Sequence, residues 1–256
     1  MLVSGDSTLI QTPSRKNILI DTGEEENTIV EYLLDRKIKK IDYLMISHFD
    51  SDHSAKAAEL IEKLKVKYLI ISKQTETSEQ FEKTIEIAQK RKVKIITVEA
   101  GNVLKIDKDT NFQILWPKTK KTISENPLNN NSIVAKFNYK NFSMLFTGDI
   151  EEIAEKSILQ EYENSNILES TILKVAHHGS NTSSIEQFIE KVKPKIALIG
   201  VGKENKFGHP KEEVIERLEK VGCKIYRTDL SGEIEIKVKK NTIEFVTKKQ
   251  LKIKNF

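Results

Sequence analysis

Four side chains of types that bind metals lie within six consecutive residues, 48–53, just after a predicted buried strand. The apolar run at residues 41–46 is followed by His48, Asp50, Asp52 and His53, and a helix-forming stretch begins immediately afterwards. Two imidazoles and two carboxylates so close together suit a divalent cation, which accepts nitrogen and oxygen ligands together. Their spacing directs two side chains to one side and two to another, which accommodates two adjacent metal positions. The alternative is a polar loop that caps the next helix, with Asp52 as the N-cap.

Two later segments repeat this arrangement of a predicted strand followed by ligand-type residues. Asp149 follows the apolar run at residues 142–146, and His177 and His178 follow the run at 172–175. Taken alone, Asp149 has the ordinary interpretation of a helix N-cap, and a histidine pair that of a solvated turn. Ligands that converge from several strand ends build a site, so the three segments together predict a metal centre.

Short apolar runs alternate with amphipathic helical stretches along nearly the whole chain. The apolar runs predict strands at residues 7–11, 17–20, 41–46, 68–71, 93–98, 112–116, 133–139, 142–146, 172–175, 196–199, 224–227, 233–238 and 242–246. The helical periodicity predicts helices at residues 28–36, 55–64, 78–91, 151–160, 185–192 and 211–221. Thr28 with Glu31, and Thr77 with Gln80, have the spacing of a capping box at two of the helix starts.

The polar stretch at residues 118–131 predicts a long loop, and no change of composition marks a linker. We therefore predict a single domain over residues 1–256, in which two sheets form a sandwich with helices outside. The net charge of +4 is too small to indicate a polyanionic partner by itself.

Cysteine content and hydropathy exclude several classes of protein. Cys223 is the only cysteine, which excludes a disulfide within the chain and a zinc site built from thiolates. Its position at the start of a predicted strand favours a packed thiol over a nucleophile. No apolar run approaches the ~20 residues of a membrane span, and no signal peptide opens the chain. The expected location is the cytoplasm, and no obligate protein partner is expected.

A larger, ordered series of residues resembles a known family. The series is Gly5-Asp6-Ser7, Leu9-Ile10, Pro13, Ile18-Leu19-Ile20-Asp21-Thr22-Gly23, Ser47-His48-Phe49-Asp50-Ser51-Asp52-His53, Asn131-Ser132, Thr147-Gly148-Asp149, Lys174 through Ser180, Ser183-Ser184, Pro194, Gly202, Asn205, Gly208-His209-Pro210, Thr228-Asp229 and Gly232. It resembles the metallo-β-lactamase superfamily, and within it the C-terminal domain of ComEC-type DNA-uptake (competence) proteins and their stand-alone relatives. The resemblance covers essentially the whole chain and is specific as an ordered set.

The resemblance implies an α+β fold, a four-layer αββα metallo-β-lactamase sandwich with one or two divalent metal ions (Zn or Mn) at one edge of the sheets. Matched position by position, the implied metal ligands are His48, Asp50, Asp52, His53, Asp149 and His178. Asp149 bridges the two metal positions, and His177 remains the alternative to His178 as a ligand. His177 and His209 take catalytic roles, and Asp21 supports a ligand from behind.

Four features depart from the family's pattern. The family has a full strand before its Gly-Asp element, so an outer strand is missing here or the true start lies upstream. Residues 54–57 replace a usual Gly-Gly. Asn131-Ser132 stands where many members carry a histidine, which leaves the first metal position with fewer ligands, although the ComEC-like branch shares that replacement. The family's membrane channel region is also absent from this chain, which weakens any claim of DNA import.

The leading functional hypothesis is a metallo-hydrolase, a phosphodiesterase or nuclease in which a metal-activated water attacks DNA or another nucleic acid. The first alternative is hydrolysis of a small phosphodiester, as in phosphocholine esterases that share the His-x-Asp-x-Asp-His cluster. The second is a metal-stabilised binding module without turnover, which the intact ligand set disfavours. The sequence shows no long basic stripe and no aromatic platform for stacking bases.

Overall fold

The computed structural model describes residues 5–24, 29–73, 77–203, 205–239 and 242–247. The strands of this part are β1 (Thr8–Gln11), β2 (Asn17–Ile20), β3 (Lys40–Met45), β4 (Lys65–Ser72), β5 (Lys94–Val98), β6 (Val103–Lys105), β7 (Thr110–Trp116), β8 (Val134–Tyr139), β9 (Phe142–Phe146), β10 (Ile172–Lys174), β11 (Ile196–Ile199), β12 (Lys224–Arg227), β13 (Ile234–Val238) and β14 (Ile243–Thr247). Its helices are α1 (Ile29–Asp35), α2 (Ser51–Ser54), α3 (Ala57–Lys63), α4 (Glu79–Lys90), α5 (Pro127–Asn130), α6 (Glu152–Glu161), α7 (Glu186–Val192), α8 (Glu212–Lys220) and α9 (Thr228–Ser231), with a 3₁₀ turn at Ala176–Gly179.

The strands form two main sheets and one hairpin. The first sheet has the order β1-β2-β3-β4-β5, and all its neighbours are parallel except the pair β1 and β2. The second has the order β12-β11-β10-β9-β8-β7-β6, in which β9 to β12 are parallel and β6 to β9 antiparallel. β13 and β14 pair separately. Each main sheet therefore has a group of parallel strands whose carboxyl ends meet at one edge.

Apolar side chains fill the space between the two sheets. Phe112 of β7 is fully buried and packs against Phe137 and Phe146, with ring centroids 5.0 Å and 6.4 Å away. Met45 of β3 and Ile18 of β2 belong to the same cluster and come from the other sheet. Full burial of a side chain of this size contributes about 1.5–3 kcal/mol. The alternation of residues along each strand thus joins the sheets face to face.

Helices cover the outer face of each sheet. α1, α3 and α4 pack on the first sheet, and α6, α7 and α8 pack on the second. In α8, Val214 and Leu218 are buried one turn apart, while the glutamates of its first turn suit the positive end of the helix. The fold is the predicted α+β sandwich of four layers, αββα. The prediction of a missing outer strand involves residues 1–4, which lie outside the described residues.

Several predicted elements differ from the structure in their bounds. The stretch predicted as a loop, 118–131, contains the short helix α5, and the short edge strand β6 was not predicted. The cap of α4 was assigned wrongly: Ser78, not Thr77, is the N-cap, and its side chain accepts the Phe81 N–H. The other proposed cap, Thr28, lies outside the described residues. Short elements and turns carry weak periodicity, which explains these differences.

Three further predictions concern the cysteine, membrane-spanning helices and the number of domains. Cys223 is buried, and burial raises the pKa of its thiol to about 12, which agrees with a packed role. Every helix in the described ranges is too short or too polar to span a lipid bilayer. The prediction of a single domain over residues 1–256 stays a prediction.

Glu155, buried in α6, connects this helix to the start of α7. One carboxylate oxygen accepts the Ser184 N–H at 2.7 Å and the other accepts the Ile185 N–H at 2.9 Å. Glutamine keeps one acceptor and turns an amide NH₂ towards the second N–H. We expect Glu155→Gln to lower the free energy of unfolding by about 1–3 kcal/mol, the cost of a buried unpaired donor. Urea denaturation measures this loss.

The same side chain makes stability depend on pH. Burial raises the pKa of Glu155 to about 8, although the two N–H groups oppose the shift, so the folded chain keeps a proton that the unfolded chain loses near pH 4.5. The free energy of unfolding should therefore decrease as the pH rises from about 4.5 to about 8. Glu155→Gln should reduce this slope. Glu152→Gln, on the exposed face of α6, is the control, and equal slopes in Glu155→Gln and the wild type would contradict the assignment.

Candidate metal centre

The predicted ligands lie at the edge where the carboxyl ends of parallel strands meet. Asp21 follows β2, and the segment from His48 to His53 follows β3 in the first sheet. Asp149 follows β9, and the 3₁₀ turn with His177 and His178 follows β10 in the second sheet. The neighbouring ends of β2 and β3, and of β9 and β10, are in register. The two sheets therefore deliver side chains to one place from opposite sides.

Asp52, His53, Asp149 and His178 form one group of closely spaced ligand atoms. His178 Nε2 lies 2.8 Å from Asp52 Oδ2 and 3.6 Å from Asp149 Oδ2. His53 Nε2 lies 3.2 Å from Asp149 Oδ1 and 3.7 Å from Asp52 Oδ2. Two imidazole nitrogens and two carboxylates thus face one another across distances that one cation can bridge.

His48 and Asp50 form an adjacent second group. The His48 ring lies 4.1 Å from the His53 ring, between centroids, and His48 Nε2 is 3.7 Å from Asp50 Oδ2. His48 is buried, whereas the Asp50 side chain is 40% exposed. The structure therefore brings all six predicted ligands together, and the side occupied by Asp50 is the one that solvent reaches.

Three buried atoms of this cluster have no hydrogen-bond partner among the described residues. They are His48 Nε2, His53 Nε2 and Asp149 Oδ1, and the 3.2 Å contact between the last two lacks hydrogen-bond geometry. A buried polar atom without a partner costs about 1–3 kcal/mol, so such atoms are rare unless another group satisfies them. All three are ligand atoms of the type that a divalent cation binds. The donor set therefore fits a metal ion.

The charges of the site prepare the ligands for a cation. Burial, followed by the neighbouring His53, lowers the pKa of His48 to about 3, so its ring is neutral at pH 7. Burial opposes ionisation of Asp149, but His53 and His178 outweigh it and hold the pKa well below its ordinary value. The carboxylates in turn raise the pKa of His178 to about 9, against the effect of burial. A metal ion would compete with the proton on such a histidine.

Buried hydrogen bonds fix the orientation of two histidines. Asp21 Oδ2 lies 2.9 Å from His53 Nδ1, and both Asp21 oxygens accept hydrogen bonds from Ser47. Gly200 O lies 2.7 Å from His178 Nδ1. When Nδ1 donates to an oxygen, Nε2 is left as the ligand atom. Asp21 therefore contacts the ring nitrogen of His53 that faces away from the other ligands, and its supporting role stays a prediction.

Gly148 packs closely against Ser132, which precedes β8 of the same sheet, and against Ser47, which follows β3 of the first sheet. Its φ is +53°, and a Cβ at this position would lie 2.7 Å from the Cβ of Ser132. Ser132 Oγ accepts the Asp149 backbone N–H at 3.3 Å. The Asn131 amide bonds to Ile123 and Pro127 instead of facing the site. The pair that replaces the family's histidine thus contributes packing and a single hydrogen bond to a residue of the site, that between Ser132 and Asp149.

His177 and His209 lie at the rim. His177 is partly exposed, with Nε2 4.0 Å from Asp149 Oδ2 and Nδ1 3.7 Å from Glu151 Oε1. The rings of His177 and His209 are 6.0 Å apart. Burial, followed by His177, lowers the pKa of His209 to about 4. Glu151 was not singled out from the sequence, where it reads as an ordinary first-turn glutamate.

A buried ion pair beneath the site was also missed. Lys174 Nζ contacts Asp6 Oδ2, and both side chains are about nine-tenths buried. Ligand atoms of Asp6, His53, Asp149 and His178 lie within 4.8 Å of one another. A Cβ on Gly200 would overlap the Asp6 carboxylate. The sequence features that could have indicated this ion pair are a lysine inside the apolar run at residues 172–175 and an aspartate near the start of the chain.

A family model agrees with this architecture. The model described as "Metallo-beta-lactamase superfamily" matches residues 2–203. The chain belongs to this superfamily. The family and the hydrolase fold predicted from the sequence motifs are thereby confirmed. The buried group of Asp6, His53, Asp149 and His178 suits a divalent metal. The roles of individual residues stay predictions.

Relatives in this superfamily include proteins linked to competence. The chain is 33% identical to ComE operon protein 3 of Bacillus subtilis over 92% of its own length and 32% of that protein. It is 30% identical to Competence protein ComA of Neisseria gonorrhoeae, over 90% of this chain and 30% of that one. The chain thus spans about a third of the length of these curated relatives.

Solved structures show the same fold at low sequence identity. Igni18, a metallo hydrolase from Ignicoccus hospitalis, matches with a TM-score of 0.58 and 15% identity, over 96% of this chain and 97% of that one. Identity this low supports the fold and not a shared substrate.

Proposed function

We propose that the protein is a metal-dependent phosphodiesterase that acts on DNA or another nucleic acid. The observation that carries this proposal is the set of buried, unpartnered ligand atoms on His48, His53 and Asp149 beside the accessible Asp50. Oxygen and nitrogen donors at two adjacent positions are typical of sites that hydrolyse phosphate esters. The resemblance to DNA-uptake proteins, and a relative named as a competence protein, support nucleic acid as the substrate.

The proposed ligand sets follow the two groups of side chains. His48 and Asp50 would hold one divalent cation, and Asp52, His53 and His178 the other. The family resemblance implies that Asp149 would be shared by the two cations, and its two oxygens face His53 and His178 of the second set. Manganese and zinc both suit this mixture of oxygen and nitrogen donors. When bound, such a cation neutralises charge on a phosphoryl group and makes water nucleophilic near neutral pH.

His177 is the better candidate for a proton donor to the leaving oxygen. Glu151 and Thr182 lie 3.7 Å and 3.4 Å from its Nδ1, which orients the ring, and its Nε2 faces Asp149. His209 has a pKa of about 4 and is therefore neutral at pH 7. It suits a hydrogen bond to a phosphate oxygen more than transfer of a proton. General acid catalysis of this kind contributes about 10²–10⁴-fold.

Two alternatives use the same site differently. In the first, the substrate is a small phosphodiester such as a phosphocholine ester. In the second, the metal stabilises a binding module that does not turn over. The exposed Asp50 and the partly exposed His177 disfavour the second, because a purely structural metal has no need of an accessible side. The cytoplasmic location and the absence of an obligate protein partner remain proposals.

The proposal predicts hydrolysis that depends on added metal. The purified chain should hydrolyse bis-p-nitrophenyl phosphate and single-stranded DNA with Mn²⁺ or Zn²⁺, and EDTA should remove the activity because the ligand set then holds no cation. Release of p-nitrophenol and gel analysis of labelled DNA measure the two reactions. Hydrolysis of p-nitrophenyl phosphocholine alone would favour the small-substrate alternative. Stoichiometric metal binding without turnover of any of these compounds would establish the binding module instead.

A further inference from the structure

Phe207 is a large apolar side chain held in solvent beside the metal centre. It is 74% exposed, more than any other large hydrophobic side chain in the described ranges. Its ring stacks on His209 with centroids 5.8 Å apart and an interplanar angle of 15°. One face of the ring is thus occupied by a histidine at the rim of the site, and the ring is accessible to another planar group.

The loop that carries Phe207 is held by a network of hydrogen bonds. The Asn205 side chain accepts the His209 N–H at 2.8 Å and donates to His209 O at 2.8 Å. Lys211 Nζ donates to Phe207 O at 2.8 Å, and the Lys211 N–H donates to Gly179 O at 2.9 Å. Gly179 directly follows His178. Hydrogen bonds within the loop therefore fix the position of the Phe207 ring, and the bond to Gly179 O connects the loop to the segment that carries His178.

The distance from Phe207 to the metal centre and the charge of the loop both suit a bound nucleic-acid strand. Ring-to-ring steps of 5.8 Å and 6.0 Å connect Phe207 to His177 through His209. A stacked strand advances about 3.4 Å per nucleotide, so Phe207 lies within a few nucleotides of a phosphate at the proposed ligands. Residues 203–211 contain three lysines and one glutamate, and this positive balance suits a phosphate backbone.

We propose that Phe207 is a stacking platform for an unpaired nucleobase that flanks the phosphate in the metal centre. This deepens the proposed function and rests on it for the position of that phosphate. Aromatic rings bind successive bases of single strands by stacking, without strong sequence preference, because every base presents a flat face. The platform selects strands with an accessible base over duplex and over small phosphodiesters. The structure thus supplies the aromatic feature that the sequence did not reveal.

Binding measurements test the platform separately from catalysis. The probes are a labelled single-stranded thymidine oligonucleotide and an abasic strand of equal length, both with phosphorothioate linkages to slow cleavage, in Mn²⁺. Phe207→Ala should weaken binding of the base-containing strand by about 5- to 150-fold, the range for loss of one stacked base. Binding of the abasic strand should weaken much less, and Phe207→Trp should bind the base-containing strand like the wild type.

Val103→Ala is the matched control, because Val103 is 60% exposed on β6, the edge strand at the end of the second sheet opposite β12. Val103→Ala should bind both the base-containing strand and the abasic strand like the wild type. Equal affinity of the wild type for both strands, or equal losses for both in Phe207→Ala, would overturn the platform. Base-dependent binding without any hydrolysis would leave the platform standing and refute the phosphodiesterase proposal. Metal-dependent hydrolysis without base-dependent binding would refute only the platform.

Discussion

Replacing Asp149 with alanine is expected to lower kcat on bis-p-nitrophenyl phosphate by a factor of about 10³ or more. Asp149 is buried, and its two oxygens lie 3.2 Å from His53 Nε2 and 3.6 Å from His178 Nε2. It is the ligand proposed to lie between the two metal positions, so its loss removes a donor from both. The measurement is kcat at saturating Mn²⁺, together with the metal content of the purified variant.

Two other variants serve as comparisons for Asp149→Ala. His209→Ala removes a neutral hydrogen-bonding side chain from the rim, so activity should fall by about 10²–10³-fold at most, the cost of one lost donor to developing charge, with metal content unchanged. Asp109→Ala removes an exposed carboxylate far from the ligands in sequence and should behave as the wild type. An Asp149→Ala protein with kcat near that of Asp109→Ala would contradict the bridging role and the mechanism that depends on it.

The clustering of the ligands could be predicted because it depends on topology. His48 and Asp149 each follow an apolar run, and parallel strands with helical crossovers bring such positions to one edge. The alternation of apolar residues determined which face of each strand is buried, and so defined the layers of the sandwich. Sequence periodicity and ligand type together therefore located the site without knowledge of any distance.

The choice between His177 and His178 could not be predicted from the residues alone. Both residues have positive φ, +48° and +53°, in the 3₁₀ turn that follows β10. Side chains alternate regularly only in extended backbone, and left-handed residues break that rule. The structure directs His178 Nε2 to Asp52 and leaves His177 beside Glu151. Contacts with residues distant in sequence hold this turn, among them the hydrogen bonds of the His177 N–H to Gly148 O and of His178 to Asp52, and a single sequence carries no clear signal for them.

The partnership of Asp6 and Lys174 was missed for a different reason. The two residues are 168 positions apart, so no local pattern relates them. A lysine at the end of an apolar strand normally extends to water, since burial of an unpaired charge is costly. Here Lys174 turns inward because Asp6 is brought beneath the site, its backbone N–H bonded to Asp52 O at 3.0 Å. Only the assembled fold shows that the charge is compensated.

Breaking the ion pair between Lys174 and Asp6 is expected to cause the largest loss of stability. Lys174→Met keeps the length of the side chain but leaves the buried Asp6 carboxylate without its cation. We expect the free energy of unfolding to fall by about 3–5 kcal/mol, because an uncompensated buried charge costs far more than the lost attraction. The measurement is urea denaturation in EDTA, so that a metal ion cannot replace the lysine.

The double variant Asp6→Asn with Lys174→Met separates charge from packing. It removes the isolated charge and leaves a neutral amide, so the loss should be only about 1–3 kcal/mol, the cost of an imperfectly bonded buried polar group. Lys193→Met, which breaks an exposed ion pair with Glu169, is the control and should cost less than about 1 kcal/mol. If Lys174→Met alone were no less stable than the double variant, Lys174 would not be compensating a buried charge on Asp6. A double variant more stable than the wild type would instead show that the buried ion pair costs the fold more than neutral side chains at the same positions.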